Sequence, residues 1–260
     1  MTDKFSFQRI DQIWSFYHPA IIRQWMWTLI AVVALFLIAA LARAIDSFGT
    51  FSLVNTMVCA PVYLGPLVFT YYNDRAMQIQ LPATACEKAS FYIFHSLIVM
   101  PVAVLTLWLS LNGLSALWGN GITIYDYFMD HLLDEFTSAG ISIMSPQFII
   151  QRLFMELLPV SVTLYTVLAA RSHRVIKGIC AAIGTLIAYG ILSGIVGFVA
   201  ALTNVQMFTG SSEEICSDNR TVEFVTKMMS DLMLTLTVFS AITVVFFIYL
   251  IYRKVKRMQD

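Results

Sequence analysis

The sequence predicts an all-α, polytopic membrane protein with six transmembrane helices and both termini in the cytoplasm. Hydrophobic residues make up 58% of the 260-residue chain and charged residues only 12%, about half the share of a soluble domain. The mean hydropathy is +0.75. The few charges cluster between apolar runs of roughly 20 residues, the length at which a helix crosses about 30 Å of hydrocarbon.

An N-terminal segment precedes the first apolar run. The stretch "FSFQRIDQIWSFYHPAIIRQW" (5–25) carries apolar residues at helical spacing from Ile10 onward. This pattern predicts an amphipathic helix lying on the cytoplasmic leaflet. Pro19 is expected to break that helix before the first span. We therefore divide the chain into a cytoplasmic amphipathic helix (1–24), a six-helix transmembrane domain (25–252) and a basic cytoplasmic tail (253–260).

The predicted spans cover about 25–45, 50–72, 90–112, 148–170, 177–202 and 230–252. Their orientation follows from Lys and Arg, which concentrate on the cytoplasmic side of membranes. Twelve of the sixteen basic residues fall in the N-terminal segment, the 2–3 loop, the 4–5 loop and the tail, which we assign to the cytoplasm. The external 3–4 loop contains "YDYFMDHLLDEF" (125–136), which predicts an amphipathic helix with an acidic face that is either merely solvated or binds cations.

The stretch "LPATACEK" (81–88) separates spans two and three. Pro82 cannot continue a helix from the preceding segment. Thr84 and Glu87 have the spacing of a capping box, in which each side chain accepts a hydrogen bond from the other residue's backbone N–H. The spacing predicts that the third helix begins at about Ala85.

This arrangement resembles the permease half of ABC-2-type transporters, and "LPATACEK" resembles the Leu-Pro-Ala-x-x-x-Glu-Lys elbow of a bacterial group of them. The resemblance implies a subunit of an ATP-driven exporter in the bacterial cytoplasmic (inner) membrane. A separate ATPase would dock on the 2–3 elbow, and two six-span halves would form a homodimer or a heterodimer. Carried over to this chain, the elbow residues are Arg75, Leu81, Pro82, Glu87 and Lys88.

The 4–5 loop, "RSHRVIKG" (171–178), corresponds to the second cytoplasmic contact of that family, with Arg171, Arg174 and Lys177 as its basic residues. The chain departs from the family in one respect. Its longer external loop joins spans three and four, whereas the family often has a structured segment between spans five and six. The substrate, the direction of transport and the export path therefore stay open.

The motifs that are missing argue against an enzyme. The chain has no Gly-x-x-x-x-Gly-Lys-Ser/Thr phosphate loop, no His-Glu-x-x-His and no Gly-x-Ser-x-Gly. We therefore expect no catalytic residue and no cofactor, with ATP bound by the partner subunit. The four cysteines fit no metal-ligand spacing, so no metal site is expected. A net charge of zero argues against a nucleic-acid partner, so the expected partners are the lipid bilayer, the ATPase and a second permease half.

A few residues inside the spans are candidates for packing or transport roles. Arg152 and Glu156 are four residues apart, so they either form an ion pair within one helix or leave Glu156 on the translocation path or a subunit interface. Span five carries a stripe of small residues that permits close helix approach, within one subunit or at a dimer seam: Gly190, Gly194 and Gly197.

Two other functions compete with the permease. A non-transporting accessory or scaffold membrane protein would have the same composition. A secondary transporter would commonly show an internal repeat and more intramembrane charges, neither of which is evident here. Co-purification of an ATPase would distinguish the permease from the scaffold.

Overall fold

Apolar helices dominate the computed structural model, which describes residues 5–44, 59–70, 83–118, 146–208 and 218–259 and contains no strand in those ranges. In chain order the helices are α1 (Phe7–Ala44), α2 (Ala60–Leu64), α3 (Ala85–Phe94), α4 (Met100–Trp118), α5 (Pro146–Ala169), α6 (Arg174–Phe208) and α7 (Asp218–Gln259). A 3₁₀ segment (Gly65–Thr70) continues α2, and a π-helical segment (His95–Val99) joins α3 to α4.

Four stretches among the described residues are long and apolar enough to cross a membrane: Phe7–Leu41, Ala85–Leu111, Arg174–Val199 and Leu234–Met258. The chain is therefore a multi-pass membrane protein by length and composition. The predicted second and fourth spans correspond to shorter apolar helices, Ala60–Thr70 and Leu153–Ala169. At 1.5 Å per residue the second of these covers about 26 Å, slightly less than the hydrocarbon thickness.

The N-terminal segment differs from the prediction. We expected Pro19 to end a separate amphipathic helix, and that prediction was wrong: α1 runs without interruption from Phe7 to Ala44. The residues on both sides of the proline are held by packing, since Tyr17 and Ala20 are both buried. This packing offsets the hydrogen bond that proline removes from the helix. One side of this segment is buried in the main hydrophobic core, and its placement on the cytoplasmic leaflet stays a prediction.

The main hydrophobic core, here called the basal cluster, is built at one end of the bundle. It combines the first part of α1 with the start of α3 and the last turns of the 3₁₀ segment, α5 and α7. Its buried members are Ile13, Tyr17, Ala20, Ile21, Val68, Phe69, Ala89, Phe91, Tyr92, Leu164, Val167, Leu168, Ile251 and Val255. All of these segments border regions that the Lys and Arg distribution assigns to one side of the membrane.

The predicted helix start in the elbow is confirmed. Thr84 is the N-cap of α3, and its hydroxyl accepts a hydrogen bond from the Glu87 backbone N–H at 3.3 Å. The Glu87 carboxylate in turn accepts from the Thr84 backbone N–H at 2.8 Å. This reciprocal pair satisfies two backbone donors that a helix N-terminus otherwise leaves unpaired. The elbow therefore enters α3 at a fixed angle.

Candidate functional site

The Glu87 carboxylate joins the start of α3 to the start of α1. It accepts hydrogen bonds from the Arg9 guanidinium, with Nε at 3.0 Å from Oε2 and Nη2 at 2.7 Å from Oε1. It also accepts from the Ser6 backbone N–H at 2.6 Å, in addition to the Thr84 N–H. We call these four residues, Ser6, Arg9, Thr84 and Glu87, the N-terminal clamp. A bidentate, charge-assisted pair of this kind fixes both distance and orientation.

Burial makes the clamp a structural element. The Glu87 side chain is 0% exposed, whereas that of Arg9 is 26% exposed. Lys88, the next residue, is only 3% exposed. The Glu-Lys pair of the elbow is therefore turned into the protein and does not present a surface to a partner in this conformation. The Glu87 carboxylate therefore ties the start of α3 to the start of α1.

The remaining elbow residues, Arg75, Leu81 and Pro82, lie outside the described part of the chain, as does the acidic segment 125–136. The 4–5 loop is described: residues 170–173 form a tight turn between α5 and α6, and residues 174–178 form the beginning of α6. Its conformation includes His173 at a φ of 50°, in the left-handed region. Arg174 closes the turn by donating from Nε to the Ala170 carbonyl at 2.6 Å.

The basic residues of this turn divide into two kinds. Arg171 and Lys177 are exposed, and Arg174 is half-buried and engaged with the end of α5. Of the three, Arg171 and Lys177 are the more exposed. They are therefore the members of the predicted second contact that an acidic partner surface could reach.

The turn is packed against the bundle through Gly178, which sequence reasoning did not single out for packing. A Cβ added there would lie 2.7 Å from Leu67 Cδ2 and 3.0 Å from Val167 Cγ2. Such distances are shorter than ordinary van der Waals contact. Gly178 thus allows the first turn of α6 to touch both the 3₁₀ segment and α5. Nothing local in "RSHRVIKG" indicates this contact, because Leu67 and Val167 both lie outside that stretch.

Glu156 has a partner that the sequence did not indicate. Its Oε2 accepts a hydrogen bond from the hydroxyl of Tyr63, which lies on α2, 93 residues away in the chain. The Arg152 side chain is outside the described part of the structure, so the predicted ion pair stays a prediction. The Tyr63 bond joins α2 to α5 within the apolar bundle, where a buried polar group without a hydrogen-bond partner is costly.

The glycine stripe of span five is largely turned outward. Gly190 and Gly194 are exposed, and no described heavy atom lies within 4 Å of a Cβ added at either position. At Gly197 the nearest atom is Leu232 Cδ1, at 3.5 Å. Of the three, only Gly197 touches another described helix, so the stripe contributes little to packing inside this chain.

The π segment contains a buried histidine. His95 is 1% exposed, and among the described residues neither of its ring nitrogens has a hydrogen-bond partner. Its ring lies among aromatic side chains, with the Phe69 centroid at 5.5 Å and the Phe91 centroid at 6.3 Å. A buried polar group without a partner is costly, and π-helical turns are frequent at functional positions. His95 therefore belongs with the candidate residues.

Comparisons with known protein families, with curated proteins and with solved structures found no match to this chain.

Proposed function

We propose that this chain is the transmembrane permease subunit of an ABC-2-type exporter in a bacterial cytoplasmic membrane. A separate ATPase would bind its cytoplasmic face, hydrolyse ATP and drive movement of the helices. A second permease half, identical or related, would complete the translocation path. The chain itself would contribute no catalytic residue.

The observation that carries the proposal is the N-terminal clamp at the predicted elbow. A coupling element must hold its shape when a motor pushes on it, and it must be joined to the helices that are to move. Glu87 meets both needs, because one carboxylate both caps α3 and binds Arg9 on α1. ATP binding can shift such a bundle only through contacts that differ between its states.

The basal cluster supports the same topology. The end of the 3₁₀ segment, the end of α5 and the end of α7 meet the start of α3 there. Gly178 at the start of α6 touches Leu67 and Val167 beside them. These helix ends would lie together if the chain crosses the membrane six times with both termini on the same side. On that path the elbow and the Arg171–Lys177 turn share the face on which the ATPase would dock.

The assignment of docking residues follows from exposure. Glu87 acts on coupling through the clamp, because its buried carboxylate binds Arg9 and caps α3. The side chain of Lys88 is also buried and therefore does not contact the ATPase directly. Arg171 and Lys177 act by direct contact, because they are exposed at the α5–α6 turn. Gly190 and Gly194 face outward and are available for the second permease half, which small residues would allow to approach closely.

Affinity purification of the tagged protein from native membranes in mild detergent, followed by mass spectrometry, tests the proposal. We expect a stoichiometric Walker-motif ATPase. Charge reversal at the turn, Arg171→Glu with Lys177→Glu, should reduce its recovery at least tenfold while the permease still elutes as a single species. The matched control is Arg253→Glu with Arg257→Glu, which reverses two exposed arginines near the end of α7.

The outcomes separate the rival functions. An ATPase that is lost with the turn variant and retained with the control supports the permease. Recovery of non-ATPase membrane proteins alone would favour the accessory or scaffold function. Purification with no partner, combined with ion-coupled uptake in vesicles, would favour a secondary transporter.

A further inference from the structure

A groove of about 1080 Å³ runs along one side of α1. Its walls are α1 from Arg23 to Leu35, α2 with the 3₁₀ segment, and Val175 at the start of α6. We call it the α1 groove. The stretch of α1 that lines it is about 18 Å long at 1.5 Å per residue. This length is close to the depth of one leaflet, half of about 30 Å of hydrocarbon.

The polar side chains of the groove lie toward one end. They are Arg23, Gln24, Thr70 and, one turn deeper, Thr28, and they lie beside the apolar Leu67, Val68 and Val175. The other end is lined by small and apolar side chains, among them Ala34, Leu35, Ala60 and Pro61. The polar end is the end that the distribution of Lys and Arg places at the cytoplasmic headgroups. The groove therefore matches one leaflet: Arg23 lies at the level of the lipid headgroups, and the wholly apolar end lies at the depth of the acyl chains.

The groove is preformed and open at the surface of the described chain, since several side chains of its wall are exposed. Gln24 fixes α1 to the 3₁₀ segment by donating from Nε2 to the Gly65 carbonyl at 2.5 Å. Trp27, one turn deeper than Arg23, is 63% exposed on the groove wall. An indole ring at this depth is typical of the boundary between headgroups and acyl chains. An occupant can therefore enter from the bilayer without passing through the protein.

We infer that the α1 groove binds one anionic phospholipid of the cytoplasmic leaflet. One acyl chain lies along Ala31, Ala34 and Leu64, and the phosphate lies at the Arg23 guanidinium. Charge complementarity selects an anionic head, because arginine matches phosphate geometry and is always protonated. A helix of a second copy would be a poorer occupant, because a transmembrane helix runs through both leaflets while the groove covers one. The inference does not depend on transport.

The experiment uses the full-length protein in nanodiscs that contain phosphatidylglycerol with a photoactivatable group in one acyl chain. We expect cross-links to peptides covering residues 27–35 and 60–68. Native mass spectrometry of the protein in detergent, titrated with phosphatidylglycerol or with phosphatidylcholine of the same chains, should show one retained lipid and a preference for phosphatidylglycerol. Cross-links confined to other segments, or equal retention of the two lipids, would overturn the inference.

Matched variants separate the two halves of the site. Arg23→Gln should lower the preference for phosphatidylglycerol about fivefold, the usual effect of one basic residue near an anionic membrane surface. Arg253→Gln, at another exposed arginine, should leave it unchanged. Ala34→Phe places a ring in the groove and should remove the retained lipid, whereas Ala188→Phe, at an exposed alanine of α6, should not.

Three results with these variants would contradict the site. The first is equal loss of lipid with Ala34→Phe and Ala188→Phe. The second is equal loss of preference with Arg23→Gln and Arg253→Gln. The third is a dimer that Ala34→Phe converts to a monomer while lipid retention is unchanged, because the occupant would then be a second copy. The cross-linking experiment needs no variant and decides the matter even if Ala34→Phe folds poorly.

Discussion

Replacing Gly178 by alanine tests the packing that holds the α5–α6 turn against the bundle. The added methyl would lie 2.7 Å from Leu67 Cδ2 and 3.0 Å from Val167 Cγ2. Leu67 can move its terminal methyl, but Val167 is β-branched and has little freedom at χ1. Overpacking of this kind usually costs about 1–3 kcal/mol. The same substitution also gains up to about 1 kcal/mol of helix propensity, so its measured effect alone is ambiguous.

A glycine elsewhere in α6 removes the ambiguity. At Gly184 no described heavy atom lies within 4 Å of an added Cβ, so Gly184→Ala changes propensity and adds no contact. Both positions are within α6, and the propensity terms approximately cancel in the difference. We expect Gly178→Ala to be less stable than Gly184→Ala by about 1–3 kcal/mol in the free energy of unfolding. The assay is unfolding of the purified protein by SDS in mixed micelles, followed by circular dichroism.

Equal stability of the two alanine variants would refute the close approach at Gly178. Greater stability of Gly178→Ala than of Gly184→Ala would refute it more strongly. A third variant, Gly194→Ala, provides a second open position and should behave like Gly184→Ala.

Three further predictions concern the polar contacts of the bundle. Glu87→Gln and Arg9→Gln should each lower the midpoint of thermal unfolding, the former by about 5–10 °C, because each leaves the other partner of the clamp unpaired. The double variant should lower the midpoint by less than the sum of the two single effects. Additive losses would argue against the clamp. Tyr63→Phe keeps the ring but removes the hydroxyl that donates to Glu156, so it should lower the free energy of unfolding by about 1–3 kcal/mol in SDS titration. An unchanged titration curve would contradict that hydrogen bond. His95→Phe replaces a buried ring whose nitrogens have no described hydrogen-bond partner with an apolar ring. It should therefore raise the midpoint of thermal unfolding by about 2–6 °C. A lower midpoint would show that His95 binds water or another partner.

Features that depend on nearby residues could be predicted from the sequence. The capping box needs only Thr84 and Glu87, three positions apart, and the structure has it as predicted. Four of the six predicted apolar runs likewise correspond to helices long enough to cross a membrane, because each run is continuous in sequence, and the other two correspond to shorter apolar helices. The prediction that Pro19 ends a helix was wrong, although it also depends only on nearby residues. Packing on both sides of that proline holds α1 together, and the sequence around it does not encode what it packs against.

Features that join distant parts of the chain could not be predicted. Arg9 and Glu87 are 78 residues apart. In the sequence, nothing distinguishes Arg9 from the other basic residues near the predicted membrane surface, so its pairing with Glu87 could not be predicted. For Glu156 the sequence offers Arg152 as a neighbour, but the observed donor, Tyr63, comes from another helix. The π segment at His95 also has no sequence signature. Each case needs the three-dimensional path of the chain before the partner can be named.

The docking of an ATPase is tested most directly by lysine-specific cross-linking in native membranes, followed by mass spectrometry. Lys177 is exposed at the α5–α6 turn and should cross-link to a Walker-motif ATPase. Lys227, which the distribution of basic residues assigns to the opposite side, should form no such link. That pair of results would place the motor on the predicted face. The permease proposal would be contradicted if Lys177 formed no cross-link to an ATPase, or if Lys227 did.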